Sequence, residues 1–112
     1  MFGVDSVQPV LAEMQAAILK GLAHPTRVKI VEMLRGGERC VCELMEELAL
    51  EQSNVSQHLA VLKKLGILGS RKDGLKMMYW VRHPQVFEVL DLLRVVLNRQ
   101  TKEIQEALGT GH

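Results

Sequence analysis

Cys40 and Cys42 are the only cysteines in the chain, and a single residue separates them. Thiolates prefer soft ions such as arsenite, antimonite, cadmium, lead or cuprous copper to magnesium or calcium. The pair stands at the start of a predicted helix, where the amide dipoles favour the thiolate over the thiol. A structural disulfide is not expected. The chain starts MFGVDSVQPVLAEM, with no base ahead of its first apolar stretch, so it does not read as a secreted protein. In a regular helix, side chains at i and i+2 also point about 200° apart, at roughly 100° per residue. The pair is therefore read as packing residues or as ligands for something soft.

A second chemical signal is the polar run around Ser53, Asn54, Ser56, Gln57 and His58. Short polar side chains near a helix start can reach base edges in the major groove, and Asn or Gln can pair with adenine. Ser53 and Ser56 can equally hold phosphate. Charge supports such a surface. From Ser53 to His83 there are six bases (Lys63, Lys64, Arg71, Lys72, Lys76, Arg82) and one acid, Asp73, whereas the rest of the chain holds eight bases and twelve acids. A basic third within an otherwise acidic protein is the footprint of an anion-facing surface, with DNA the first candidate.

The elements that must position these residues follow from periodicity. Met14, Ile18 and Leu22, preceded by Val10 and Leu11, mark one face of a first helix over Glu13–Leu22, with Pro9 in its first turn. A second helix opens at His24-Pro25-Thr26, buries Val28, Ile30, Val31 and Leu34, and ends at Gly36-Gly37. The third covers Val41–Leu48, with Leu44, Met45 and Leu48 inward. Ser53 is the expected N-cap of a fourth, which buries Val55, Leu59, Leu62 and Leu65 and stops at Gly66. Two short helices joined by Ala49–Gln52 have the layout of a helix-turn-helix.

The period then changes. Ile67–Arg71 and Met77–Arg82 read as strands around the tight-turn pair Asp73-Gly74, a two-stranded hairpin with Arg71, Lys72 and Lys76 at its tip. A long helix from Pro84 to Leu108 carries Val86, Val89, Leu90, Leu93, Val96 and Leu97 on one stripe. The expected fold is mainly α with a small β-hairpin: one winged helix-turn-helix domain over residues 1–112. Within it, 53–66 is the recognition helix, 67–82 the wing and 84–108 the dimerisation helix. The first and last helices carry more apolar surface than so small a domain can cover, which makes them the expected seam of a homodimer. Two copies would set two reading helices about one DNA turn apart, facing a near-palindromic operator in double-stranded DNA.

At 112 residues the chain has room for one ordinary domain. Its hydrophobic share of 47% and charged share of 24% are those of a globular protein. No apolar run approaches the roughly 18 to 20 residues of a membrane span, so no membrane partner is expected and the cytoplasm is the expected compartment. Catalysis is not expected. Cys42 and His58 are a conceivable nucleophile and base, but no oxyanion loop or third orienting group is visible.

Three stretches resemble the ArsR/SmtB family of metal-responsive winged-helix repressors: LAHPTRVKIVEML (Leu22–Leu34), ERCVCELMEEL (Glu38–Leu48) and SNVSQHLAVLKKLGIL (Ser53–Leu68). The resemblance runs from Leu22 to Arg82. It implies a dimeric repressor that leaves its operator when the C-V-C site binds a toxic metal or metalloid. It also implies DNA contacts from Ser53, Asn54, Ser56, Gln57 and His58, with Lys63 on the backbone. The wing bases Arg71, Lys72 and Lys76 would meet phosphates or the minor groove. In some respects the chain departs from the family. Arsenite sensors carry a third Cys where this chain has Met45. Cadmium and lead sensors draw further Cys from an N-terminal arm that has none here, and the last helix lacks the His of the zinc and cobalt sensors. A two-sulfur site per subunit suits trivalent arsenic or antimony, completed by an outside ligand, better than zinc, which wants four donors. Cadmium and lead rank behind them, and no constitutive cofactor is expected.

Because an i, i+2 pair diverges in a helix, joint binding of one ion would require the first turn to unwind. That would disturb the support of the recognition helix, a coupling of typically about 1 to 3 kcal/mol. Two alternatives stay open: the same DNA-binding fold with a thiol redox or persulfide switch, and a soft-metal carrier that uses the Cys pair.

Overall fold

The structure is a computed structural model that describes residues 4–109, with side chains from residue 10 on. The first three residues, part of the start read above for its lack of bases, lie outside it. The described chain forms two compact units, one ending at Arg82 and one beginning at His83.

In the first unit, α1 spans Val4–Leu22, α2 Pro25–Met33, α3 Val41–Leu48 and α4 Gln52–Lys64. A single 3-10 turn, Leu34–Gly36, closes α2. The strands are β1 (Arg39–Cys40), β2 (Leu68–Asp73) and β3 (Lys76–Val81). The helices and strands pack around Ile30, Val31, Leu34, Leu44, Val55, Leu59, Leu62 and Leu68, all almost fully buried. Each such side chain contributes about 1.5–3 kcal/mol relative to exposure. This is the expected winged helix-turn-helix, with α3 and α4 as its two helices and β2–β3 as its wing.

Each local device has a sequence cause. Pro25 opens α2, and the His24 Nδ1 caps it by accepting from the Thr26 N–H at 3.1 Å. The end of α4 needs a left-handed residue, and Gly66 supplies it at φ 77°. The Ile67 N–H then reaches back to the Leu62 carbonyl at 3.0 Å, between two buried apolar side chains. In the wing the turn falls one residue later than the expected Asp73-Gly74 pair: Asp73 ends β2 and pairs with Lys76, and Gly74 takes φ 63° at the first position of the two-residue turn Gly74-Leu75.

Three further expectations need correction. The first helix begins well before Glu13, at Val4. Its apolar residues Met14 and Ile18 are exposed, as its surplus of apolar surface implies, while Leu22 is buried. The fourth helix is capped two residues earlier than expected: Glu51 is its N-cap, with no side-chain capping bond, and Ser53 sits inside the first turn. The wing is three-stranded, because Arg39 and Cys40 pair antiparallel with Tyr79 and Met78 of β3, giving the order β1-β3-β2. A two-residue strand is too short to show an alternating pattern.

The second unit is α5, Gln85–Ala107, as the apolar stripe predicts. Leu92, Leu93, Val96, Leu97 and Ile104 are exposed along it. No described helix is long and apolar enough to cross a membrane.

Candidate nucleic-acid interface and thiol pair

Helix α4 separates its two faces cleanly. Val55, Leu59 and Leu62 are buried, and Ser53, Asn54 and Gln57 are exposed near the helix start. Their spacing puts Ser53 or Asn54 and Gln57 on one stripe, available to a groove. Ser56 is half-buried at the edge of that stripe. Lys63 and Lys64 are exposed in the last turn, where cations also suit the carbonyl end of the helix.

His58 is turned the other way. Its Nδ1 accepts from the Arg27 Nε at 3.2 Å, and its ring packs against that of His24 at a centroid distance of 4.5 Å. Arg27 also donates from Nη1 to the Gly21 carbonyl at 3.2 Å. One guanidinium thus ties the end of α1, the start of α2 and α4 together. Burial, then the neighbouring His24 and Arg27, hold the His58 pKa below its ordinary value, so its neutral form accepts the bond.

The wing bases differ among themselves. Lys72 and Lys76 are exposed beside the turn. Arg71 is gripped by the Glu38 carboxylate through two bonds, Nε to Oε2 at 3.1 Å and Nη2 to Oε1. The pairing holds the Glu38 carboxyl below its usual range and raises Arg71 further. Sequence reasoning assigned Arg71 to DNA and overlooked this partner, which lies 33 positions away in the chain. Behind the wing, the Trp80 ring covers Gly69, and a Cβ there would come within 2.6 Å of it.

The thiol pair sits where sheet and helix-turn-helix meet. Cys40 is the last residue of β1 and the N-cap of α3, with extended backbone at φ −82°, ψ 159°. Its Sγ accepts from the Glu43 N–H at 3.3 Å, while the Glu43 Oε1 accepts from the Cys40 N–H at 3.1 Å: a capping box with sulfur in the place of a hydroxyl. Cys42 lies in the first turn of α3.

The two are joined by a disulfide, with Cα atoms 5.3 Å apart. This corrects the expectation that such a bond is improbable. The divergence of i and i+2 side chains holds inside a helix, and Cys40 is not helical. The Cα separation is one that a helix would also give; the extended backbone of Cys40 instead redirects its side chain, so that the two sulfurs meet. Cys40 is 1% exposed, whereas Cys42 is exposed to solvent.

Cys40 and Cys42 are among the residues that line a cleft of about 200 Å³, with Met45 of α3 and with Lys76 and Met77 of β3. Among the described residues, no group of three or more His, Cys, Asp or Glu is placed to hold a metal. Any ion here would take the two sulfurs, once reduced, and donors of another kind. Met77 joins the lining of this cleft from β3, far from the cysteines in the chain, which no local pattern in the sequence signals.

Comparison with known proteins agrees with this architecture. The family model described as bacterial regulatory protein, arsR family, matches residues 24–70. An HTH-type transcriptional regulator of Mycobacterium tuberculosis is 41% identical over 80% of this chain and 79% of its own length. Its crystal structure superposes with a TM-score of 0.75 over 83% of this chain and 94% of that one, at 39% identity. The solution structure of a homodimeric winged helix-turn-helix DNA-binding domain from Mycobacterium bovis gives a TM-score of 0.79 at 25% identity, over 92% and 95% of the two chains. An arsenic resistance transcriptional regulator of Pseudomonas putida is 40% identical over 68% of this chain and 59% of its own. The chain belongs to the arsR family of bacterial regulatory proteins, and it is a DNA-binding transcriptional regulator, not an enzyme.

Proposed function

We propose that this regulator is a homodimeric repressor that occupies a near-palindromic operator. It leaves the operator when trivalent arsenic or antimony binds the reduced Cys40 and Cys42. The observation that carries the reading is the double membership of Cys40, which pairs with the wing through β1 and caps α3 through its sulfur. A change at that sulfur acts on the wing and on the helix-turn-helix at once. The disulfide is first reduced by two molecules of a cytoplasmic thiol, which leave as their own disulfide. Arsenite then exchanges two hydroxyls for the two protein thiols, releasing two waters. Once bonded to arsenic, the Cys40 sulfur is a poorer acceptor for the Glu43 N–H, and the cap that fixes α3 weakens. The P. putida relative, an arsenic resistance regulator by name, supports this choice of effector.

In this reading Ser53, Asn54, Ser56 and Gln57 face the major groove, and Lys63, Lys72 and Lys76 face phosphates. Arg71 joins them when Glu38 releases it, and His58 supports the helix from behind. The exposed apolar residues of α1 (Val10, Leu11, Met14) and of α5 (Leu93, Val96, Leu97) form the dimer seam. The homodimeric M. bovis domain supports this assembly.

Fluorescence anisotropy on the DNA upstream of the protein's own gene tests the proposal, under reducing, anaerobic conditions. Arsenite should release the wild type and leave Cys40→Ser/Cys42→Ser bound. Release of both proteins alike would remove the thiols from the mechanism. A second reading rests on the disulfide itself: the dithiol and disulfide forms differ in operator affinity, making the pair a redox switch. Its signature is release by a mild oxidant without any metalloid, reversed by a thiol reductant.

A further inference from the structure

Among the described residues, the exposed large apolar side chains fall in three places. Those on α1 and on α5 with its C-cap share the two helices of the dimer seam, and the remaining one is Leu75. It stands fully exposed at the tip of the wing, in the turn between Asp73 of β2 and Lys76 of β3. Gly74 takes the positive φ of this turn and Leu75 does not, so the second position accepts any L residue and ordinarily holds a polar one. The turn does not call for a leucine, and the core does not use it. Six cross-strand pairs, from Leu68 with Val81 to Asp73 with Lys76, hold the strands beneath it. Every residue from Arg71 to Lys76 is exposed. The wing is thus a preset two-stranded projection with one apolar side chain at its end.

The surroundings of Leu75 select its partner. Lys72 and Lys76 are exposed on the two strands, Asp73 stands across from Lys76 as the one acid of the tip, and Glu38 holds Arg71. A single leucine among ammonium groups offers far less apolar surface than a protein interface needs. It suits a slot with apolar walls between anionic rims. The DNA minor groove is such a slot, about 6 Å wide, walled by deoxyribose and rimmed by phosphates. On its floor A·T and T·A pairs show only acceptors, whereas G·C pairs add the guanine amino group. That group projects into the groove. It would keep a leucine off the floor and lose its water with no hydrogen bond in return.

We infer that Leu75 enters the minor groove of the operator as an apolar contact and favours A·T over G·C pairs beneath the wing tip. The inference rests on the reading of the wing as a DNA-facing element and adds a sequence-reading residue to it.

The test uses the full-length protein and the duplex upstream of its own gene, by fluorescence anisotropy. A second duplex carries diaminopurine in place of every adenine, which adds the minor-groove amino group and leaves the major-groove edges unchanged. The wild type should bind this second duplex about five-fold or more weakly. Leu75→Ser should bind the natural duplex about ten-fold more weakly than the wild type, and should lose much less on the second duplex. Leu75→Met, which keeps an apolar side chain, should behave as the wild type. Serine suits this turn position, and thermal melts confirm that both variants fold. An equal loss in wild type and Leu75→Ser overturns the inference, as does wild-type affinity of Leu75→Ser for the natural duplex.

Salt dependence separates the inference from the reading beneath it. If Lys72→Ala/Lys76→Ala keeps the wild-type salt slope, the wing is not on DNA and both ideas fall. If that slope drops while wild type and Leu75→Ser lose equally on the diaminopurine duplex, the wing stays on DNA and only the Leu75 contact falls.

Discussion

Cys40 and His58 each place a side chain of modest size where it joins distant parts of the chain. The Cys40 sulfur takes the capping role usually given to a serine or aspartate, so its chemical state bears directly on the start of α3. His58 works as an uncharged acceptor for Arg27. Its pKa lies below the ordinary 6.5, so the unfolded chain takes up its proton first as pH falls. The His58 contribution to stability is therefore complete above about pH 6.5 and is lost as pH drops through the lowered folded value. Thermal melts between pH 7.5 and 5 (roughly this window) should show a wild-type midpoint that falls with pH. His58→Gln, which keeps an acceptor but does not titrate, should fall less steeply. Parallel curves for the two proteins would show that the histidine is not the group responsible.

At the scale of elements, the two strands of the wing are fitted to each other by close approach. Gly69 leaves room for the Trp80 ring, and even a methyl group would collide with it at 2.6 Å. Gly69→Ala should thus cost about 1–3 kcal/mol by overpacking, read as a lower denaturation midpoint. An unchanged midpoint would mean that the ring moves aside freely. Ala49, at the end of α3, takes the left-handed conformation at φ 55° and so opens the turn into α4. The backbone at this turn is held against a local preference of about 1 kcal/mol, which the buried contacts of Leu44, Val55 and Leu59 outweigh. The packing of α3 on α4, not the turn residue, sets the angle between the two helices.

Across the whole molecule, a net charge of +1 conceals a basic segment, Ser53 to His83. Affinity for DNA should depend on salt through the exposed wing lysines, since each phosphate contact contributes about 0.9 to the slope of log K against log salt. Lys72→Ala/Lys76→Ala should lower that slope by about two if both meet phosphates, with little effect on the choice of sequence. A slope equal to that of the wild type would take the wing tip out of the interface. Arg71 should contribute less than either lysine at low occupancy of the operator, because Glu38 already neutralises it.

The helices, the turn at Gly74 and the end of α4 were legible in the sequence. Helical periodicity, a proline at a helix start and glycine at a positive φ are local properties that a few neighbouring residues determine. The exposed polar side of α4 was legible for the same reason, as the complement of Val55, Leu59 and Leu62. The partners of the functional side chains were not. Arg27 meets His58 across 31 positions and Glu38 meets Arg71 across 33, and no pattern in a short window encodes either pairing. The geometry of the cysteines belongs to the same class. Helix rules predict that the two side chains diverge, and they converge because β1 pairs with β3 and holds Cys40 extended at the edge of α3. Sequence alone determined which residues are chemically able. Tertiary structure decided which of them meet, because long-range strand pairing and packing choose among backbone conformations that are locally almost equal in energy.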